Sequence, residues 1–225
     1  MAGSIQNRES FLATLQEKLG SSPYEPYVAP TDLPMRHLSE EPIDELLKMA
    51  KKQAASVSAN FLEITASELN ATLADLISKA GGGQVLLPDD PQFAEFGVSV
   101  STDKLVYWQK GAEHREENIS NAQHANVAIA FAKFFLAESA TIAVESSAGQ
   151  GRSLHFLPTH YISIIPQSRV VPDMARAAQW FDANKTTGSA INFISGPSNS
   201  GDIEMELVIG LHGPLEINYV IVKNL

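Results

Sequence analysis

The residues best suited to chemistry lie between positions 194 and 214, ISGPSNSGDIEMELVIGLHGP. That stretch holds four glycines, two prolines, three carboxylates and one histidine. Glycine and proline mark places where a backbone turns sharply or approaches another group closely. Gly196, Pro197 and Ser198 follow the apolar run INFIS, which reads as a strand. In an open parallel sheet, ligands bind beyond the carboxyl ends of the strands. Ser198, Ser200 and Asp202 belong to the types that cap a helix and leave its first N–H groups facing a ligand. If SGDIEMEL is helical, those unpaired groups suit a carboxylate or a phosphate. Asp202 then caps the helix or fills the anion's place itself, and it shares a face with Glu206 rather than Glu204. The alternation of Ile203, Met205, Leu207 and Ile209 supports a strand instead.

Four further residues have titratable or charged chemistry. His212, in Gly-Leu-His-Gly-Pro, suits a catalytic base near neutral pH or a local turn hydrogen bond. His160, in LPTHYI, opens a strand. It either faces a carboxyl-end cleft or donates to a buried carbonyl. Glu138 follows an apolar run, where a carboxylate needs partners or a raised pKa. Thr141 and Arg152 are the natural partners. Arg152 follows Gly149-Gln150-Gly151 and can fork onto a substrate carboxylate or stand solvated in its loop. GQGRS lacks the lysine and the spacing of a phosphate loop, and the chain has no GxGxxG. His160 and His212 with Asp202 or Glu204 make a metal site chemically possible, but no ligand spacing supports one, so none is predicted.

The elements that position these residues alternate between helix and strand. Residues 43–57 and 67–80 read as helices, the second capped by Ser67 and stopped by Gly81-Gly82-Gly83. Residues 60–65, 84–88, 161–166, 191–195 and 215–222 read as strands. Residues 98–108 hold a strand or the start of a helix, and 113–122 and 174–183 read as helices. The apolar stretch from Ala125 to Ser147 is interrupted by Asn126, Lys133, Glu138, Ser139 and Thr141. It reads as two buried strands around a short helical turn rather than a membrane span. The pattern predicts a layered α/β domain over 43–225 with a mainly parallel sheet. Residues 1–42 form an N-terminal helix and a proline-rich arm, lying on its own domain or joining a homo-oligomer.

Composition excludes several classes. The net charge of −10 argues against a general nucleic-acid binder. Cysteine is absent, which removes disulfides, thiolate catalysis and cysteine-held iron–sulfur or zinc sites. No signal pattern or membrane-spanning run is present, so the expected compartment is the cytoplasm.

AESATI (137–142), GQGRSLHFLPTHYISII (149–165) and GPSNSGDIEMELVIGLHGP (196–214) occur in that order. Together they resemble the lactate-utilization protein C family, the LUD-domain proteins, most clearly over 125–225. The resemblance implies a fold similar to the phosphosugar-isomerase and CoA-transferase group. It also implies a cytoplasmic role in oxidising L-lactate to pyruvate beside iron–sulfur partner proteins, and the residues of the 196–214 loop themselves point to a small carboxylate or other anion as ligand. No cofactor is predicted in this chain. CoA-transferase relatives use a glutamate nucleophile near a comparable strand end, so by analogy Glu138 is a reactive candidate. A stand-alone transferase or isomerase acting on a small anionic metabolite is therefore the alternative. Two departures stand out. The family's usual glycine is Ala140, which is strained if that turn needs positive φ, so the turn is expected to be ordinary or relaxed. Asn199 removes a possible cation, leaving backbone N–H groups near Ser198 and Asp202 to hold the anion.

Overall fold

The computed structural model describes residues 7–20, 28, 31–184, 190–203 and 206–225, with the backbone alone at 201–203, 206 and 207. Met1–Asp32 and Leu33–Leu225 form separate units. The first contains helix α1 (Arg8–Leu19), whose Phe11, Leu12, Leu15 and Leu19 are exposed.

The second unit carries the strands β1 (Asn60–Thr65), β2 (Gln84–Leu87), β3 (Lys104–Tyr107), β4 (Val127–Phe131), β5 (Phe134–Leu136), β6 (Thr141–Ser146), β7 (His160–Pro166), β8 (Val170–Val171), β9 (Ala190–Ser195), β10 (Asn199–Ile203), β11 (Glu206–Ile209) and β12 (Glu216–Lys223). Its α-helices are α2 (Leu33–Arg36), α3 (Ile43–Ser56), α4 (Leu69–Lys79), α5 (Gln92–Glu95), α6 (Arg115–His124), α7 (Arg152–Phe156) and α8 (Met174–Ala183). Six strands form the central sheet in the order β1-β12-β7-β4-β2-β3, and every neighbouring pair is parallel. A smaller mixed sheet has the order β8-β5-β6-β9, and β10 pairs with β11 as an antiparallel hairpin. The layered α/β architecture with a mainly parallel sheet is thus the one the alternation of elements predicts.

Burial on both faces explains the apolar runs. All five residues of β4 are buried. Val127, Ile129 and Phe131 pack with Leu69, Leu73 and Ile77 of α4, whereas Ala128 and Ala130 belong to the core shared with Leu46, Leu47 and Ala50 of α3. This period of two, with both sides covered, is what parallel sheets require. The smaller sheet adds Phe135 and Ile142 to the α3 side.

Several local expectations are corrected. The cap of the second helix lies two residues before Ser67. The Thr65 N–H and hydroxyl both donate to the Glu68 carboxylate, at 2.8 and 2.7 Å, and those bonds hold Glu68 below its ordinary pKa. The interrupted apolar stretch forms three strands, β4, β5 and β6, and a tight turn rather than a helical one joins the last two. Within that turn Ala140 has φ 48°, so the left-handed conformation survives without glycine and the turn is not relaxed. For an L-residue this costs about 1–2 kcal/mol. The segment after Ser198 is a hairpin, not a helix, so Ser200 and Asp202 cap nothing. There, period-two alternation wins over capping chemistry. β9 also lies outside the parallel sheet, antiparallel to β6. Gly196 therefore does not follow a parallel strand.

Candidate functional site

The histidines singled out from sequence lie at the amino-terminal end of the central sheet. His160 begins β7, opposite Glu216 at the start of β12, so it does not face a carboxyl-end cleft. Its ring Nδ1 lies 3.1 Å from both the backbone and side-chain oxygens of Asn126. Asn126 in turn donates to the Ala80 and Gly82 carbonyls at 2.8 and 2.6 Å, beyond the end of α4. His212 is exposed in the turn before β12. Its backbone N–H reaches the Ser198 hydroxyl at 3.4 Å.

The glycine-proline loop nearby is bonded inward. The Gly196 N–H donates to the buried Tyr219 hydroxyl at 2.8 Å. The Ser198 N–H donates to Pro214 O at 3.0 Å, and Ser198 O accepts from Gly210 N at 2.8 Å. Pro197 is buried, and Ser200 pairs with Val208 in the hairpin. Neither the Gly196 nor the Ser198 N–H is free for an anion. Gly196 is required where it stands, since a Cβ would come within 2.1 Å of the Val57 carbonyl oxygen and φ is 68°. Asp202 lies in β10, and Glu204 lies outside the described residues.

Glu138 is exposed, with Oε1 3.1 Å from His37 Nε2. The expected partners are not used: Thr141 is buried and bonds to the Ser139 hydroxyl at 2.7 Å. An apolar run leads to Glu138, but the turn carries the carboxylate out of the core.

The open ground is at the opposite, carboxyl-terminal end. The chain leaves β2 toward β3 on one side, whereas the path from β4 leads to β7 on the other. Between them lies a topological switch point, where open α/β sheets form their ligand crevices. A cleft of about 310 Å³ occupies that place. Asp89 and Asp90 follow β2, Ala132 and Lys133 follow β4, and Arg169 follows β7. Arg169 is partly buried. It donates to Ala132 O at 2.8 Å and to Gln92, and burial draws its pKa down while Asp90 and Glu95 oppose the shift. An arginine remains charged through such a shift. Gln150 lines the cleft, and its buried Oε1 has no hydrogen-bond donor among the described residues. Its amide donates to Glu145 O at 2.8 Å.

A second chamber of about 900 Å³ adjoins it beyond β3 and shares Ser147 as a border. Trp108, Ile119, Phe156 and Leu157 give it an apolar wall, and Arg115 and Arg152 give it charge. The 147–151 loop separates the two. It is fixed by Asp89 N donating to Gly149 O at 2.9 Å, and Asp89 itself is bound by Lys110 at 2.8 Å. Gly149 and Gly151 are the glycines this approach requires. Cβ atoms there would lie 2.3 Å from Asp89 O and 2.4 Å from the Trp108 ring. Of the residues chosen from sequence, Arg152 is the one that lines this ground. The others were missed because strand order, which creates the switch point, leaves no local signal. The paired glycines before Arg152 were the available clue.

Two buried polar pairs lie behind these loops, His155 with Tyr161 of β7 and Gly196 with Tyr219 of β12. His155 of α7 is fully buried, with Nδ1 2.8 Å from the Tyr161 hydroxyl. Burial lowers its pKa to about 3, so it is neutral. Burial, and then Tyr219, raise the pKa of Tyr161. Burial likewise pushes Tyr219 to about 12, against the opposing bond from Gly196 N. Helix α7, which presents Arg152, is thereby tied to β7, and the Gly196 loop to β12.

Comparison with known proteins agrees with this architecture. A solved structure of a DUF162 family protein from Deinococcus radiodurans has the same fold. The TM-score is 0.61 at 18% identity, over 80% of this chain and 98% of that one. Lactate utilization protein C of Geobacillus thermodenitrificans (strain NG80-2) is 40% identical, covering 99% of this chain and 98% of its own. Its namesake from Bacillus subtilis (strain 168) is 37% identical with the same coverage. The LUD domain model matches residues 47–222, and the chain belongs to the LUD domain family.

Proposed function

We propose that this protein serves L-lactate utilization as the anion-holding subunit of a cytoplasmic system that oxidises lactate to pyruvate. Iron–sulfur partner proteins carry the electrons. The observation behind this reading is the similarity, at 37–40% identity over 99% of the chain, to proteins named lactate utilization protein C. The absence of cysteine supports the division of labour, because thiolates are the usual ligands of iron–sulfur clusters. The working site is the carboxyl-end cleft together with the chamber beside it, where Arg152 is the cation that meets an anionic group. His160 and His212 sit at the other end of the sheet, which favours structural over catalytic roles for them. A stand-alone transferase using Glu138 is the weaker reading, because that carboxylate is exposed and paired with His37.

Deleting the gene in a strain with no other lactate oxidase tests the role. Growth on L-lactate is lost and returns with the intact chain. Normal growth of the deletion strain would overturn the proposal.

A further inference from the structure

The larger chamber does not match a three-carbon acid. At about 900 Å³ it is an open cleft whose volume falls in the range of sites for drug-sized ligands, roughly 300–1,000 Å³. Lactate alone would leave most of it filled with water. Its wall is also apolar and aromatic. Trp108 and Phe156 line it, with Ile119 and Leu157 beside them. The Gln109 side-chain amide N–H is taken by Glu117 at 2.9 Å, which leaves the Gln109 side-chain oxygen and the Ser147 and Ser153 hydroxyls to bond the edges of a heteroaromatic ring.

Charge selects the rest of the ligand. Arg115 is engaged by Glu116. Arg152 is exposed on the same chamber, and no ion pair or hydrogen bond of its side chain is found among the described residues. In a chain of net charge −10, a cation left unneutralised on an aromatic-lined wall marks a place for an anion. The wall is also preorganised. Asn118, 2% exposed, accepts from Gln109 N at 2.9 Å and donates to Gln109 O at 2.8 Å. This staples the loop after Trp108 to α6, whose Arg115, Asn118 and Ile119 share one face at helical spacing. Gly151 holds the other side of the Trp108 ring.

We infer that this chamber binds a nucleotide-class ligand, with an aromatic ring against Trp108 and Phe156 and a phosphate at Arg152. The assignment rests on the carboxyl-end cleft being the working site. Aromatic contact and a charge-assisted fork each add to affinity, and neither alone uses the whole space.

Titration of the Trp180→Phe protein tests it, because Trp108 is then the single tryptophan. ADP, adenosine, inorganic phosphate and L-lactate are compared by fluorescence, and calorimetry on the unsubstituted protein repeats the ADP arm. ADP is expected to quench Trp108 saturably, adenosine to bind more weakly, and phosphate to leave the emission unchanged. Arg152→Gln is expected to weaken ADP by about tenfold or more, as loss of a charged hydrogen bond implies. The inference is overturned if calorimetry finds no saturable ADP binding, if phosphate binds as well as ADP, or if Arg152→Gln binds ADP unchanged. Saturable lactate binding that Arg152→Gln removes, without ADP binding, would keep the cleft as the working site and reject the nucleotide.

Discussion

At the amino-terminal end of the central sheet, the distinctive residues satisfy one another. Gly196 bonds to Tyr219, Ser198 to Pro214 and Gly210, and His160 to Asn126. At the carboxyl-terminal end, glycines serve equally tight packing, but the groups beside them remain open. Gly149 and Gly151 close on Asp89 and Trp108, while Arg152 and Gln150 line space. Unusual residue types therefore indicate a demanding backbone at both ends. What separates a site from a structural knot is whether a charged or polar group that faces open space is left over once internal bonds are counted.

The two glycines should break this comparison most sharply. Gly196→Ala forces a Cβ against the Val57 carbonyl in a left-handed conformation, and both strain and displacement are costly. The expected loss is about 3 kcal/mol or more in urea unfolding. Gly151→Ala meets only the Trp108 ring, at ordinary φ of −89°, so its stability loss is smaller, about 1–2 kcal/mol. Its main effect is a changed Trp108 environment. Equal stability losses would remove the distinction between the two ends.

Acid should test the His155–Tyr161 pair that ties α7 to β7. His155 has a native pKa near 3 against an ordinary 6.5. Across that window the unfolded chain binds a proton that the native chain excludes, so stability falls as pH drops below about 6.5. At pH 5 this share amounts to about 2 kcal/mol. His155→Gln removes it, and the difference in slope between the two proteins is the measurement. Identical acid slopes would mean that His155 is not held neutral. The smallest effect is expected at Ala140→Gly. Relief of the left-handed alanine, about 1–2 kcal/mol, is largely offset by a lost buried methyl, about 0.8 kcal/mol, and by the added freedom of glycine in the unfolded chain. A stability change well above 1 kcal/mol in either direction would contradict that balance.

Much of the fold was legible in sequence. Helix α8 runs over the expected residues, and the buried strands β4 and β7 announce themselves by continuous apolar runs. The hairpin after Ser198 was harder, because Ser200 and Asp202 suit a helix cap while the apolar alternation around them suits a strand. The site was legible only in part. Gly149, Gly151 and Arg152 carry a local signal. Arg169 reaches the cleft, and Trp108 and Asn118 the chamber beside it, through strand order, a long-range property that no window of sequence contains.

The central claim is that the carboxyl-end cleft, and not the amino-end loops, carries the function. Complementation of the deletion strain on L-lactate tests it most directly, comparing Arg152→Gln with His212→Ala after both are shown to fold. The account predicts that Arg152→Gln fails to restore growth and that His212→Ala restores it. Growth with Arg152→Gln and none with His212→Ala would contradict it.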